Sequence, residues 1–274
     1  MEIDVNELFF WDPIVLEGTP FEINRVVVLM FVASLLCMGF FLLGSRRGSL
    51  VPKGIQNLAE SAYLFVRDGI AIDVIGPKDG LKFAPYLASV FFFIFFCNLL
   101  EIVPGINFPV TSRMAIPAFL SLLTYVIFVF VGFQRQGLRY LKDTLFPPGV
   151  PWPIYIVLTP IELFSVFIIR PLTLAVRLLA NMMAGHVLLT IFFLFSADFV
   201  APEISLPLGI LTALLAAVLI LFELLVISIQ AYIFTLLSAF YIAESIHGHG
   251  EEDHEVSTHQ EPQYETEGME ARAA

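Results

Sequence analysis

The sequence predicts an all-α membrane protein: five transmembrane helices plus one interfacial amphipathic helix, the last two spans forming a long, strongly tilted antiparallel hairpin. Three observations carry this. Of 274 residues, 58% are hydrophobic and only 14% charged, and mean hydropathy is +0.86, a composition for lipid rather than for a soluble domain. The apolar residues fall into five runs long enough to span a bilayer. The last run, Ile210 to His247, contains no Gly and no Pro. At 1.5 Å per residue it extends about 55 Å against a hydrocarbon core of about 30 Å, so it must tilt steeply or bend along a partner.

In chain order, residues 1–24 form a polar, acidic segment with Phe9, Phe10 and Trp11 as interfacial aromatics. It lacks the basic start of a cleaved signal peptide, since the first Lys or Arg is Arg25. Val26 to Leu43 is the first span. Arg46, Arg47 and Lys53 follow it and mark the cytoplasmic side. Pro52 is placed in the first turn of the amphipathic helix. In that helix Ile55, Leu58, Ala59, Ala62, Phe65 and Val66 recur at helical spacing, with Gln56, Asn57, Glu60, Arg67 and Asp68 mostly opposite. Gly76 to Gly80 reads as the turn that ends it.

Phe83 to Val103 is the second span and closes with Asn98, Glu101 and Pro104. Met114 to Phe133 is the third. Arg135, Arg139, Lys142 and a Pro-rich loop (Pro147, Pro148, Pro151, Pro153) lead to the fourth, from Thr159 to Ser196. Asp198, Pro202 and Glu203 form the turn before the last helix. With five spans and the N-terminus outside, Lys and Arg gather on the cytoplasmic side and only Arg25 and Arg113 lie outside. The membrane domain is therefore residues 25–247, and 248–274 is an acidic cytoplasmic tail expected to be disordered.

Net charge is −11, with much of the acid at the two ends, and no basic stripe exists for nucleic acid. No G-x-x-x-x-G-K-[ST] loop occurs, so no P-loop nucleotide site is expected, and no cofactor is called for. Cys37 and Cys97 sit in separate apolar runs and read as buried free thiols. The tail histidines His247, His249, His254 and His259 could bind a metal only weakly, having no second ligand cluster.

The fourth span is the organising stretch. PIELFSVFIIRPLTLAVRLLANMMAGH, Pro160 to His186, carries Glu162, Arg170, Arg177, Asn181 and His186 in a run otherwise fit for lipid. A charge at the bilayer centre costs from about 2.5 to over 10 kcal/mol, so such groups are kept for transport, a proton relay or an ion pair. Arg170 and Arg177 are seven apart and share a helical face; the bland alternative for each is a snorkelling or paired arginine. In an antiparallel hairpin, residues at one depth have numbers with a constant sum. Arg177 with Gln230 gives 407, His186 with Glu223 gives 409, and Glu162 with Glu244 gives 406. Arg177 and His186, nine apart, do not share a face in an ideal helix, and Gly185 is a place where a bend could bring them round.

RPLTLAVRLLANMMAGH (Arg170 to His186), ELLVISIQAYIFTLL (Glu223 to Leu237) and NLLEIVPG (Asn98 to Gly105) resemble subunit a of the F-type ATP synthase. The resemblance runs from the first span to the last helix. It implies a stator subunit facing a rotating c-ring of small hairpin subunits, each with one mid-membrane carboxylate, fed by two aqueous half-channels. It also implies b-type peripheral-stalk subunits, the remaining synthase subunits and the lipid bilayer as partners, and a bacterial inner membrane, or alternatively a mitochondrial one. By the same resemblance, Arg177 matches the family's essential arginine, and Gln230 and Asn181 its conserved amides. His186 and Glu223 match its acid–histidine pair, and Asn98 and Glu101 polar residues of the outer half-channel. Glu162 stands near the acidic residue of the inner half-channel, one position out of step with some members. H⁺ is the default coupling ion. The competing class is a stand-alone secondary antiporter, which would purify without a ring.

Overall fold

The computed structural model describes residues 23–46, 52–103, 105–146, 152–200 and 206–247. The N-terminal acidic segment up to residue 22 and the tail from residue 248, with His249, His254 and His259, lie outside these residues, and His247 is the last residue of the last helix. Every long element among them is a helix, and five stretches are long and apolar enough to cross a membrane.

Helix α1, Arg25–Ser45, is capped by Asn24, whose side chain accepts from the Val27 backbone N–H at 3.1 Å. Helix α2, Ile55–Val66, is the amphipathic element. It starts after Gly54, which has positive φ, so Pro52 precedes the helix rather than sitting in its first turn. It continues through a π turn, Arg67–Ile72, and a short helical turn, Asp73–Ile75. Its expected end also moves. Gly76, at φ +98°, breaks the helix alone, and Pro77 already opens helix α3, Pro77–Leu99. The second span therefore begins six residues earlier than its apolar run and ends before Glu101.

Helix α4, Ala115–Gln136, is followed by the short α5, Arg139–Leu145. Helix α6, Trp152–Phe164, passes through a π turn, Ser165–Ile169, into α7, Arg170–Val200. The fourth span thus starts at Trp152, and Pro153 lies in a helix instead of a loop. The π turn has a local cause. Pro171 has no N–H and its ring crowds the carbonyl one turn back, so the backbone widens just ahead of it. Thr173 Oγ1 donates to the carbonyls of Ile169 (2.8 Å) and Arg170 (3.1 Å), and Ser121 Oγ of α4 donates to the Pro171 carbonyl. The last helix, α8, runs Leu206–His247 without interruption.

Packing builds inward from α1. Helix α1 lies on α2 and α3, α3 and α4 pack on α8, α4 also meets α7, and α7 and α8 form the most extensive pair. The main core joins Ile70, Leu87, Ile94, Phe128, Leu178, Met182, Ile227 and Phe234 from all the inner elements. Along the remaining sides of α6, α7 and α8, large apolar side chains such as Ile156, Leu214, Val218 and Leu221 are exposed, as lipid or a partner subunit requires. At the other end of the bundle, Arg135 of α4 pairs with Asp79 of α3, and Gln136 Nε2 donates to the Ser245 carbonyl at 3.0 Å, capping the end of α8.

The close seat of α3 against the π turn rests on Gly80. A Cβ there would lie 2.8 Å from the Ala71 carbonyl carbon and closer still to its oxygen. Backbone cannot swing aside as a side chain can, so overpacking costs about 1–3 kcal/mol. Gly80→Val is expected to lower the abundance and melting temperature of the membrane-inserted protein, whereas Gly39→Val, with open space around its position, is not. Equal behaviour of the two variants in a thermal-solubility assay would contradict this packing.

Candidate functional site

The site is built on the facing sides of α7 and α8 and on the loop that follows α3. The hairpin's antiparallel register is visible in three contacts. Gly185 of α7 faces Glu223 of α8: a Cβ at Gly185 would sit 2.6 Å from the Glu223 carboxyl carbon. Asn181 Nδ2 donates to Gln230 Oε1 at 2.5 Å. Arg170 makes a two-pronged ion pair with Glu244, with Nη2 to Oε1 at 2.9 Å.

These contacts revise the pairs expected from sequence. Gln230 bonds Asn181 rather than Arg177, and Glu244 holds Arg170 rather than lying opposite Glu162. The reason is geometric. Side chains on a helix lean toward its N-terminus. In an antiparallel pair, two long side chains therefore meet when their numbers sum to more than the backbone register. The observed sums rise from 408 (Gly185 and Glu223) to 411 (Asn181 and Gln230) and 414 (Arg170 and Glu244) as the pair's combined reach grows. No polar partner of Glu162, which is half-buried in α6, is found among the described residues.

His186 is buried, and its Nδ1 lies 3.6 Å from Glu101 Oε1. Its ring meets the edge of Phe108 at 5.7 Å between centroids. The His186–Glu223 pair expected from depth is thus joined by Glu101, which lies opposite the imidazole, while the Glu223 carboxyl rests against Gly185. The helix runs unbroken through Gly185. This glycine makes room for the Glu223 carboxyl. Arg177 and His186 accordingly point to opposite sides: His186 is inward, and Arg177 is exposed.

Asn98 and Glu101 reach the cluster from the end of α3. Asn98 is fully buried and accepts a hydrogen bond from Thr111 Oγ1, on a loop whose Phe108, Val110 and Ser112 are also buried. The loop is fixed to α1 by Arg25 Nη2 donating to the Ile106 carbonyl at 2.7 Å. Five buried polar atoms here find no hydrogen-bond partner among the described residues: Asn98 Nδ2, both Glu101 oxygens, Glu223 Oε1 and Gln230 Nε2. Each such atom in a dry core costs about 1–3 kcal/mol. They lie at the end of α3 and on α8, where an apolar core would hold none.

On the outer face of α7, Arg177 lies among Leu172, Val176, Ala180 and Leu188, and no partner for its guanidinium is found among the described residues. Asn181 is exposed one turn further along. Gly185, Phe108 and Thr111 are site residues that sequence reasoning did not assign. Gly185 belongs to the same A-G-H stretch, but nothing local signals that a carboxyl rests on it. Asp198 and Glu203, expected near this end, lie outside the described side chains.

Residues 27–243 match the family described as ATP synthase A chain. Among curated relatives named ATP synthase subunit a, the chain is 39% identical to that of Rhodococcus erythropolis, over 87% of this chain and 88% of that one. It is 42% identical to that of Frankia alni, over 92% and 86%, and 44% identical to that of a Parafrankia species, over 85% and 79%.

The hairpin register predicts a cross-linking pattern. In a background lacking Cys37 and Cys97, cysteines replacing Asn181 and Gln230 are expected to be joined by a short bifunctional reagent. A pair at Asn181 and Phe240, ten residues out of register, is not. Equal yields from both pairs would rule the register out.

Proposed function

This chain belongs to the ATP synthase subunit a family, an integral membrane subunit that translocates protons while ATP chemistry resides in other subunits of the F-type complex, and from that premise we propose that Arg177 is the fixed cation past which each carboxylate of a rotating c-ring must move. The observation that carries this is the exposed guanidinium on an apolar helix face, with no hydrogen-bond or ion-pair partner among the described residues. Facing lipid, such a charge is costly; facing a partner's carboxylate across a desolvated interface, it stabilises the ionised form. Arginine suits the task because its pKa exceeds about 12, so it holds charge without carrying the proton itself.

The remaining site residues supply the route. Asn98, Glu101, His186 and Glu223 form the half-channel that opens on the outer side. The buried atoms of Asn98, Glu101 and Glu223 that have no hydrogen-bond partner among the described residues, and the 3.6 Å approach of imidazole to carboxylate, support a relay there. Gln230 and Asn181, bonded to each other beside Arg177, hold the surface on which the ring slides. Glu162, at the opposite end of the α6–α7 span, serves the half-channel to the cytoplasm. The overlong hairpin lies obliquely across the membrane against the ring, and b-type stalk subunits hold the bundle from the other side. The membrane domain is residues 25–247, a reading that the family match over residues 27–243 supports. The clustering of Lys and Arg supports an N-terminus outside and a C-terminus in the cytoplasm of a bacterial inner membrane.

Proton pumping in inverted membrane vesicles at matched complex abundance tests the central claim. Arg177→Ala is expected to abolish ATP-driven pumping and proton-driven synthesis while the complex still assembles. Arg177→Lys is expected to fail as well, because a desolvated lysine can give up its proton and lacks the planar fork. Pumping by Arg177→Ala near the parent rate would make Arg177 structural and the mechanism wrong.

A double-mutant cycle on the same assay addresses the relay. Glu101→Gln and His186→Ala are expected to couple by about 0.5–3 kcal/mol, as contacting groups do. Strictly additive losses would mean that the two do not act together.

A further inference from the structure

Two arginines, Arg170 and Arg177, stand seven residues apart on one side of α7. If both were bare, a ring carboxylate would meet two cations about 10 Å apart along the helix axis. The structure treats them differently. Arg177 is exposed and has no partner among the described residues. Arg170 is drawn into the groove between α7 and α8, where only 20% of its side chain is accessible and both terminal guanidinium nitrogens engage Glu244, itself 18% accessible. Its Cζ also lies 5.2 Å above the ring of Tyr241, within cation–π range. Glu244 and Tyr241 lie three apart on α8, so one helix face supplies both the counter-charge and the aromatic floor.

We propose that Glu244 is a positioning residue that neutralises Arg170 and turns it away from the ring-facing surface, leaving Arg177 as the single cation that a passing carboxylate encounters. The proposal rests on the reading of Arg177 given above. A bidentate carboxylate is the geometry that best satisfies a guanidinium fork and cancels its charge. Without it, Arg170 is a second positive site on the cytoplasmic side of Arg177. A carboxylate leaving Arg177 would then dwell there before reprotonation. At an effective dielectric of about 20, one extra unit charge at about 10 Å shifts such an equilibrium roughly 10-fold.

A pair that only bolts two helices together predicts equal damage from losing either partner, since each loss leaves one buried charge. Charge masking predicts asymmetry. The test measures ATP-driven proton pumping per assembled complex for Glu244→Gln, Arg170→Gln and the double variant, in the complete complex. Glu244→Gln is expected to slow turnover roughly 10-fold, Arg170→Gln is expected to lose less, and the double variant is expected to return to the parent rate. Equal losses in the two single variants, no loss in Glu244→Gln, or a double variant as slow as Glu244→Gln would each overturn the proposal. So would a failure of Glu244→Gln complexes to assemble that the double variant does not repair. Arg177→Ala measured alongside separates the two levels. If it pumps, the underlying reading fails; if it is inactive and the asymmetry is missing, only the masking fails.

Discussion

An arginine or glutamate inside an apolar helix has no water to turn to, and every other feature of this fold answers to that constraint. Helices α7 and α8 each carry several such groups, and neither could lie alone in lipid without leaving them unpaired. Laid antiparallel, they settle two problems at once. Glu244 meets Arg170, and Gln230 meets Asn181. The remaining helices then hold that pair in place: α3 and α4 press on α8, α4 ties to the Pro171 carbonyl through Ser121, and Gln136 caps the far end of α8.

The pairing is deliberately incomplete at two places. Arg177 faces outward with no partner within the described chain, and five buried polar atoms around Asn98, Glu101, Glu223 and Gln230 stay unbonded within it. In a soluble core these would be defects. In a member of a proton-translocating family they are the groups on which the proposed proton path and ring contact rest. The inner seam and the outer face are served by opposite sides of one helix, because His186 and Arg177 are nine residues apart and point in opposite directions. One continuous helix therefore carries a buried polar cluster on one side and an exposed cation on the other, without any break at Gly185.

Irregular backbone appears where the helix rule is broken by a specific residue. Pro171 forces the π turn before α7, and Thr173 and Ser121 take up the carbonyls around it. Gly76 breaks the chain between the amphipathic helix and α3, and Gly80 lets α3 settle back onto the π turn at Ala71. These are local solutions to packing a short interfacial segment and an overlong span against the same bundle.

By itself the sequence determined the class and the number of spans, and it showed which polar residues those spans must carry. Length, hydropathy and the cost of charge in lipid depend on residue type and order alone. The antiparallel register could also be read, because depth along a helix is linear in residue number. Only the tertiary structure decided which polar group meets which. Side-chain lean and length move contacts by several positions beyond the backbone register, so Arg170 and not Glu162 sits opposite Glu244. Helix ends set by Gly54, Gly76 and Pro77 shifted the boundaries of the amphipathic helix and the second span. The place of Glu101 beside His186 depends on a loop folded back under the cluster by Thr111 and Phe108, and no periodicity encodes that. Gly185 shows the difference most plainly: in sequence a glycine suggests a bend, but in the fold its missing side chain is the space that a carboxyl from another helix fills.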